Sequence, residues 1–319
     1  MYREKVSIGE GTEYPLNGLL TLPDGASAPV PAVVMVHGSG ASNMDEKVMK
    51  LTPFRDLADG LAGRGIASIR YDKRSFAHGR RLIKNMGPDL TVRDETTDDA
   101  ILALEMLRND SRIDSSRIFI LGHSMGAMLA PRIDAEYSSR TDSNAQGSGV
   151  RGLIMMAGTP YRLEDIVIRQ LRQSRSSSNP VLRFVAGLED RIFSGKFDGL
   201  YEMTDEEAKK KKFAGGTTLY YFKEMGKKTA VDYLLASTTP ALIMQGGKDF
   251  QVLADDDFAA FKEQLADRDN ITYRLYPDLN HCFVTALYDD ILKASKEYSV
   301  ERHIGEDVID DIAEFIYRS

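Results

Sequence analysis

Residues Gly122-His123-Ser124-Met125-Gly126 follow the apolar run Ile118-Phe119-Ile120-Leu121 and lead into Ala127-Met128-Leu129-Ala130. A strand, a sharp turn bearing a serine, then a helix is the setting in which G-x-S-x-G has physical meaning. Such a turn strains the serine backbone, and a side chain at Gly122 or Gly126 would collide with the adjoining strand or helix. The hydroxyl is raised at the end of a sheet, beside a helix N-terminus whose free amides favour negative charge. These five residues predict a strand–turn–helix unit with Ser124 as a candidate nucleophile.

Other segments repeat the strand and helix alternation. Val6–Ile8 and Gly18–Leu22 read as a pair of short strands. Ala32-Val33-Val34-Met35-Val36 is a continuous apolar run of the kind buried on both faces of a sheet. Phe54, Leu57, Ala58 and Leu61 recur at helical spacing until Gly63 and Gly65, and Ile66–Ile69 is the next strand. A helix over Thr91–Arg108 and a strand over Arg117–Leu121 precede the serine turn. Val150–Met156, Ala241–Met244 and Ile271–Leu275 are further strands, with helices at Phe258, Phe261 and Leu265 and over Val308–Ile316. The alternation predicts an α/β fold with a mostly parallel central sheet flanked by helices.

The rhythm breaks between residues 161 and 237. That stretch is polar, has no buried-strand run and carries helix signals, including a capping box at Thr204-Asp205-Glu206-Glu207. It is expected to be a helical cap insertion into a catalytic core made of residues 1–160 and 238–319. Lys209–Lys212 reads as a solvated helix face. Tyr201, Met203, Tyr220, Tyr221, Phe222, Met225 and Tyr233 are expected mainly to pack the insertion on itself, with an acyl or aryl pocket as the alternative.

The chain has 319 residues and a net charge of −7, which gives no reason to expect nucleic acid as a partner. The single cysteine, Cys282, excludes an internal disulfide and fits a reducing compartment. No apolar run is long enough to span a bilayer, and Met1–Lys5 is followed by no apolar signal core. A cytoplasmic protein without membrane contact is the simplest expectation. Oligomeric state is left open, a homo-oligomer included.

A serine hydroxyl attacks only when a base takes its proton, and histidine has the suitable pKa. Of five histidines, His37 lies in a Gly-rich loop, His123 within the turn, His78 in a charged stretch and His303 near the C-terminus. His281, in Asp278-Leu279-Asn280-His281-Cys282-Phe283, follows the last strand, where a loop returns to the sheet edge bearing Ser124. A base needs a carboxylate to hold its tautomer. Asp249, just after the Ala241–Met244 strand and Gln245-Gly246-Gly247-Lys248, is placed to supply it. Asp255, Asp256 and Asp257 compete, but they open a helix, where acidic residues are favoured in any case. The oxyanion donors are expected to be the backbone N–H groups of Met125 and Ser39, the latter in His37-Gly38-Ser39-Gly40. That loop lacks the spacing of a P-loop or of G-x-G-x-x-G, so no nucleotide is implied. Cys282 has no base assigned to it. Asp72, Lys73 and Arg74 read as a structural charge cluster at a strand end.

The order Ser124, Asp249, His281 is that of α/β hydrolases. Together with His37–Gly40, Pro53-Phe54-Arg55-Asp56-Leu57-Ala58, Arg70-Tyr71-Asp72-Lys73-Arg74, Leu129-Ala130-Pro131-Arg132, Gly246–Val252 and Tyr276–His281, the chain resembles bacterial carboxylesterases of the α/β-hydrolase superfamily. The resemblance covers most of the chain outside the insertion. It implies an α/β-hydrolase fold and a serine esterase acting on a small-molecule ester through an acyl-enzyme, with no cofactor and no metal. Ser75-Phe76-Ala77-His78 stands where such sequences often have glycine, and the insertion matches no motif. Two alternatives remain: an acyl-peptide or thioester hydrolase or acyltransferase with the same triad, and a non-catalytic hydrolase-fold binding protein. Proteins of the last kind tend to lose a triad member, and here all three candidates are present.

Overall fold

The computed structural model describes residues 1–25, 27–140, 149–174, 195–213 and 216–319. Its elements in order are β1 (Tyr2–Ile8), β2 (Leu16–Leu22), β3 (Val30–Val36), α1 (Pro53–Ala62), β4 (Ala67–Tyr71), α2 (Arg74–Met86), α3 (Asp98–Arg108), β5 (Ile113–His123), α4 (Met125–Arg140) and β6 (Gly152–Met156). There follow α5 (Leu163–Ser174), α6 (Asp205–Lys210), α7 (Leu219–Met225), α8 (Ala230–Leu235), β7 (Ala241–Gly246), α9 (Ala259–Gln264), β8 (Ile271–Tyr276), α10 (Ala294–Glu297) and α11 (Glu306–Arg318). The strands form one sheet in the order β1-β2-β4-β3-β5-β6-β7-β8. β1, β2 and β4 are antiparallel neighbours, and from β4 through β8 every pairing is parallel.

The apolar strand runs have a direct cause. Side chains alternate across a strand, and helices cover both faces of this sheet, so both sets must be apolar. Val33 and Met35 pack with Phe54 and Leu57 of α1 and with Val308 and Ile312 of α11. Ala32, Val34 and Val36 pack with Ile101 and Leu104 of α3 and with Leu129 and Ile133 of α4. Each such Val, Leu or Ile contributes roughly 1.5–3 kcal/mol by leaving water. A polar replacement on either face would therefore be felt.

Several segments differ from expectation. The Thr91–Arg108 segment is no single regular helix, because Arg93–Thr97 is a π turn feeding α3. A second π turn, Ala254–Phe258, precedes α9. Helix α2 was not legible: Leu82 is its one buried residue, and the non-helical backbone of His78 (φ −132°) kinks it.

Between β6 and β7 the described chain carries helices and no strand of the sheet. Of residues 161–237, positions 175–194 and 214–215 lie outside the described residues. The capping box forms: Thr204 Oγ1 accepts the Glu207 N–H, and the Glu207 carboxylate accepts the Thr204 N–H. Thr229 and Asp232 make a second one at α8. Leu219, Tyr221, Phe222, Met225 and Leu234 belong to the same apolar cluster as Leu129 and Ile133, so the insertion shares a core with α4. Lys209 is not simply solvated: its ammonium pairs with Asp89 and Glu206 and lies over the Tyr220 ring. No helix among the described residues is long and apolar enough to cross a membrane.

Candidate active site

Ser124 sits between the last residue of β5 and the first of α4 with φ +54°, in the left-handed region that a serine rarely adopts. Strain of order 1–3 kcal/mol is held there by its surroundings. Its N–H donates to Met156 O at 2.8 Å, tying the turn to β6. A Cβ on Gly122 would lie 2.2 Å from Gly126 O, and one on Gly126 would lie 2.1 Å from Val36 O. Strand, turn and helix are therefore packed backbone to backbone. Met125 opens α4, so its N–H has no partner within the helix.

Asp249 follows β7 on a turn pressed against the loop after β8: a Cβ on Gly246 would meet Leu279 O at 2.5 Å, and one on Gly247 would meet Pro277 O at 2.7 Å. That contact brings the carboxylate to the histidine. The Asp249 carboxylate accepts His281 Nδ1–H at 2.7 Å. It also accepts Gln251 N–H at 2.7 Å, Val252 N–H at 3.0 Å and the Gln245 amide at 3.1 Å. With Nδ1 donating, Nε2 is left as the acceptor in the neutral ring. The His281 loop is shaped from beneath by Asn280, whose side chain accepts from Cys282 N–H and donates to Glu297. Burial opposes charge on Glu297, yet Arg302 and Asn280 hold its carboxyl below the ordinary value.

Below Ser124 lies a network that sequence reasoning missed. Glu46 Oε1 accepts Gly38 N–H at 2.7 Å, and Glu46 Oε2 lies 2.9 Å from His123 Nδ1, off the hydrogen-bonding line. His123 Nε2 donates to His281 O at 2.8 Å, with the two rings 4.7 Å apart. One buried ion pair thus joins the Gly38 loop, the serine turn and the His281 loop. Burial alone would raise Glu46 and lower His123, but each holds the other charged, Glu46 below and His123 above its ordinary value. Burial lowers His37 from 6.5 to about 4, so this ring is neutral and donates to Asn43 O at 3.0 Å.

Ser39, Ser124 and Met125 line a single cavity of about 390 Å³. Its far wall is apolar and comes from the insertion: Leu163, Ile166, Val167, Phe213, Tyr221 and Phe222. Gln251 and Val252, beside Asp249, also line it, as do Glu95, Met128 and Thr159. Cys282 is buried and its thiol is pushed well above its ordinary value, which removes it as a nucleophile. The Asp257 carboxylate accepts the Leu253 N–H at 2.6 Å, at the start of the π turn that precedes α9. Arg169 of α5 pairs with Asp256 at 2.6 Å and Asp257 at 2.5 Å, and fully buried Asp257 also accepts the Thr159 hydroxyl at 2.6 Å. They fasten the insertion to the core. His78 and His303 are engaged elsewhere, with Pro15 O and Asp56. Among the described residues, no three His, Cys, Asp or Glu side chains converge so as to hold a metal ion.

A strained serine after a central parallel strand, with an Asp–His pair on the loops after the next two in the sheet beyond β6, defines a class. The model of the alpha/beta hydrolase family matches residues 33–292, and the chain belongs to that family. It is 32% identical over 304 residues to Esterase EstD of Thermotoga maritima, covering 95% of this chain and 66% of that protein, so it spans somewhat less than two thirds of its relative. Among solved structures, Est1E from Butyrivibrio proteoclasticus superposes with a TM-score of 0.56 at 14% identity, covering 99% of both chains. An esterase from Pyrococcus furiosus superposes at 0.57 and 13% identity, covering 99% of this chain and 91% of the other.

Proposed function

We propose that the protein is a serine carboxylic ester hydrolase of small or short-acyl esters. The observation that carries this reading is the 2.7 Å Asp249–His281 hydrogen bond on the loop system that surrounds the strained Ser124. The likeness to a protein named as an esterase supports it. Ser124 Oγ attacks the ester carbonyl carbon while its proton passes to His281 Nε2. The imidazolium is stabilised by the Asp249 carboxylate, and the carbonyl oxygen, now anionic, is received by the N–H groups of Ser39 and Met125. Collapse breaks the C–O bond, and His281 returns the proton to the departing alcohol. Water then repeats the sequence on the acyl-serine and frees the acid. Residues 161–237 act as a cap whose apolar side holds the acyl group, and no cofactor takes part.

The test is a panel of nitrophenyl esters from acetyl to dodecanoyl, run beside peptide and thioester substrates, with fluorophosphonate labelling. Short-chain esters should be preferred, and a single label should fall on Ser124. Ser124→Ala should lose on the order of 10⁴-fold in turnover. Faster turnover of peptide or thioester would replace the ester reading, and labelling of another residue would overturn the site.

A further inference from the structure

The Gly38–Ser39 peptide is gripped by a buried ammonium. Lys73 Nζ donates to Gly38 O at 2.9 Å, and Lys73 is only 1% exposed. In a trans peptide the C=O and the following N–H point in opposite directions, so fixing Gly38 O also fixes the Ser39 N–H. The preceding peptide is held separately, through Gly38 N–H on Glu46. With both peptides locked, the Ser39 N–H is directed away from Lys73, to the side on which Ser39 lines the cavity. A cation on the carbonyl also polarises that peptide and strengthens its N–H as a donor.

An ammonium at this depth requires a counter-charge. Glu95 Oε1 lies 3.3 Å from Lys73 Nζ, and Glu95 Oε2 accepts the Tyr221 hydroxyl at 2.5 Å. Burial opposes ionisation of Glu95, but Lys73 and Tyr221 hold it below the ordinary carboxyl value. Burial beside Glu95 keeps the Tyr221 phenol protonated, able to donate. Glu95 belongs to the core and Tyr221 to the insertion, on α7.

We propose that Lys73 is the positioning residue for the oxyanion donor at Ser39, and that Tyr221 and Glu95 set Lys73, so that the insertion reaches the reaction centre through three side chains. The inference rests on the serine-hydrolase reading above and goes beyond it. A displaced donor weakens the hold on the tetrahedral anion while leaving the neutral ester bound as before.

Lys73→Met alone would strand the Glu95 carboxylate, so the double variant Lys73→Met/Glu95→Gln, which removes both charges, is measured with it. The readouts are kcat and KM for nitrophenyl butyrate and the Ki of phenylboronic acid, whose adduct on Ser124 is a tetrahedral anion. The double variant should keep KM within about threefold, lose about 10²-fold in kcat and bind the boronic acid weaker by a similar factor. Tyr221→Phe should show the same split at about tenfold or less. Ser124→Ala separates the two readings: residual full activity there sinks the hydrolase assignment itself. If Ser124→Ala is inactive while the folded double variant keeps kcat and boronate affinity, the Lys73 proposal is overturned and the hydrolase reading stands. A Tyr221→Phe variant altered in KM alone would overturn the link to the insertion.

Discussion

His37 and His123 differ in charge, for burial empties one of its proton and Glu46 holds a proton on the other. Stability should follow. An unfolded His37 takes up a proton below its ordinary 6.5, whereas the folded ring resists until about 4, so stability is lost as pH falls across that window. The full effect is about 3 kcal/mol. His123 has the opposite sign: its raised value adds stability that is fully present below the ordinary 6.5 and fades as pH rises from there through the folded value. The drop in Tm between about pH 7 and about pH 4.5 should shrink in His37→Gln, whose amide can still donate to Asn43 O; an unchanged drop would mean that another group drives acid unfolding. The acidic residues after β7 separate by partner. Asp249→Asn should lower turnover about 10²- to 10⁴-fold with the fold intact. Asp256→Asn, removing one half-exposed partner of Arg169, should cost about 1 kcal/mol at most and leave short-ester turnover close to native. The reverse pattern would move the third triad role from Asp249 to Asp256. Ser124, Asp249 and His281 could be singled out as candidates because each follows a strand that can be read from its own few residues. Glu46, Lys73 and Glu95 could not, since their meaning lies in partners far along the chain: Lys73 meets Gly38 across 35 positions.

At the scale of elements, the elbow leaves no slack. Gly126→Ala places a Cβ within 2.1 Å of a backbone oxygen of β3, so α4 must lift from the sheet. A loss of about 3 kcal/mol or failure to fold is expected in denaturant titration; a loss under 1 kcal/mol would show that α4 can shift freely. Among the aromatic residues of the insertion, Tyr221 and Phe222 line the cavity while Tyr220 lies under Lys209. Phe222→Ala should therefore change the ratio of octanoyl to acetyl ester kinetics several-fold, about 1 kcal/mol in ΔΔG‡, and Tyr220→Ala should leave the ratio close to native. Equal ratios in both variants would remove α7 from acyl recognition. Strands were easier to read than helices because burial on both faces writes an unbroken apolar run. Helix α2 is polar over most of its length, with Leu82 alone buried, so no apolar stripe of the kind seen in α1 marks it. The π turns before α3 and α9 escaped because their residues carry ordinary helical composition.

For the whole molecule, Ser39, Ser124, Asp249 and His281 follow the carboxyl ends of β3, β5, β7 and β8, where loops gather at one edge of the sheet. The α/β alternation and the break at residue 161 made this outline readable. That the insertion packs on α4 was not readable, because its apolar residues match no period long enough to assign a face. β6 has a distinct place in this arrangement. It lies between the strands that present the serine and the aspartate, yet the loop after it bears no member of the proposed triad and leads instead into the helices of the insertion. The register of β5 on β6, of β6 on β7 and of β7 on β8 is set by strand residues outside that loop. Any exchange of the segment between β6 and β7 would still have to supply new partners for Asp256 and Asp257, which Arg169 clasps, and for Glu95, whose carboxylate accepts the Tyr221 hydroxyl.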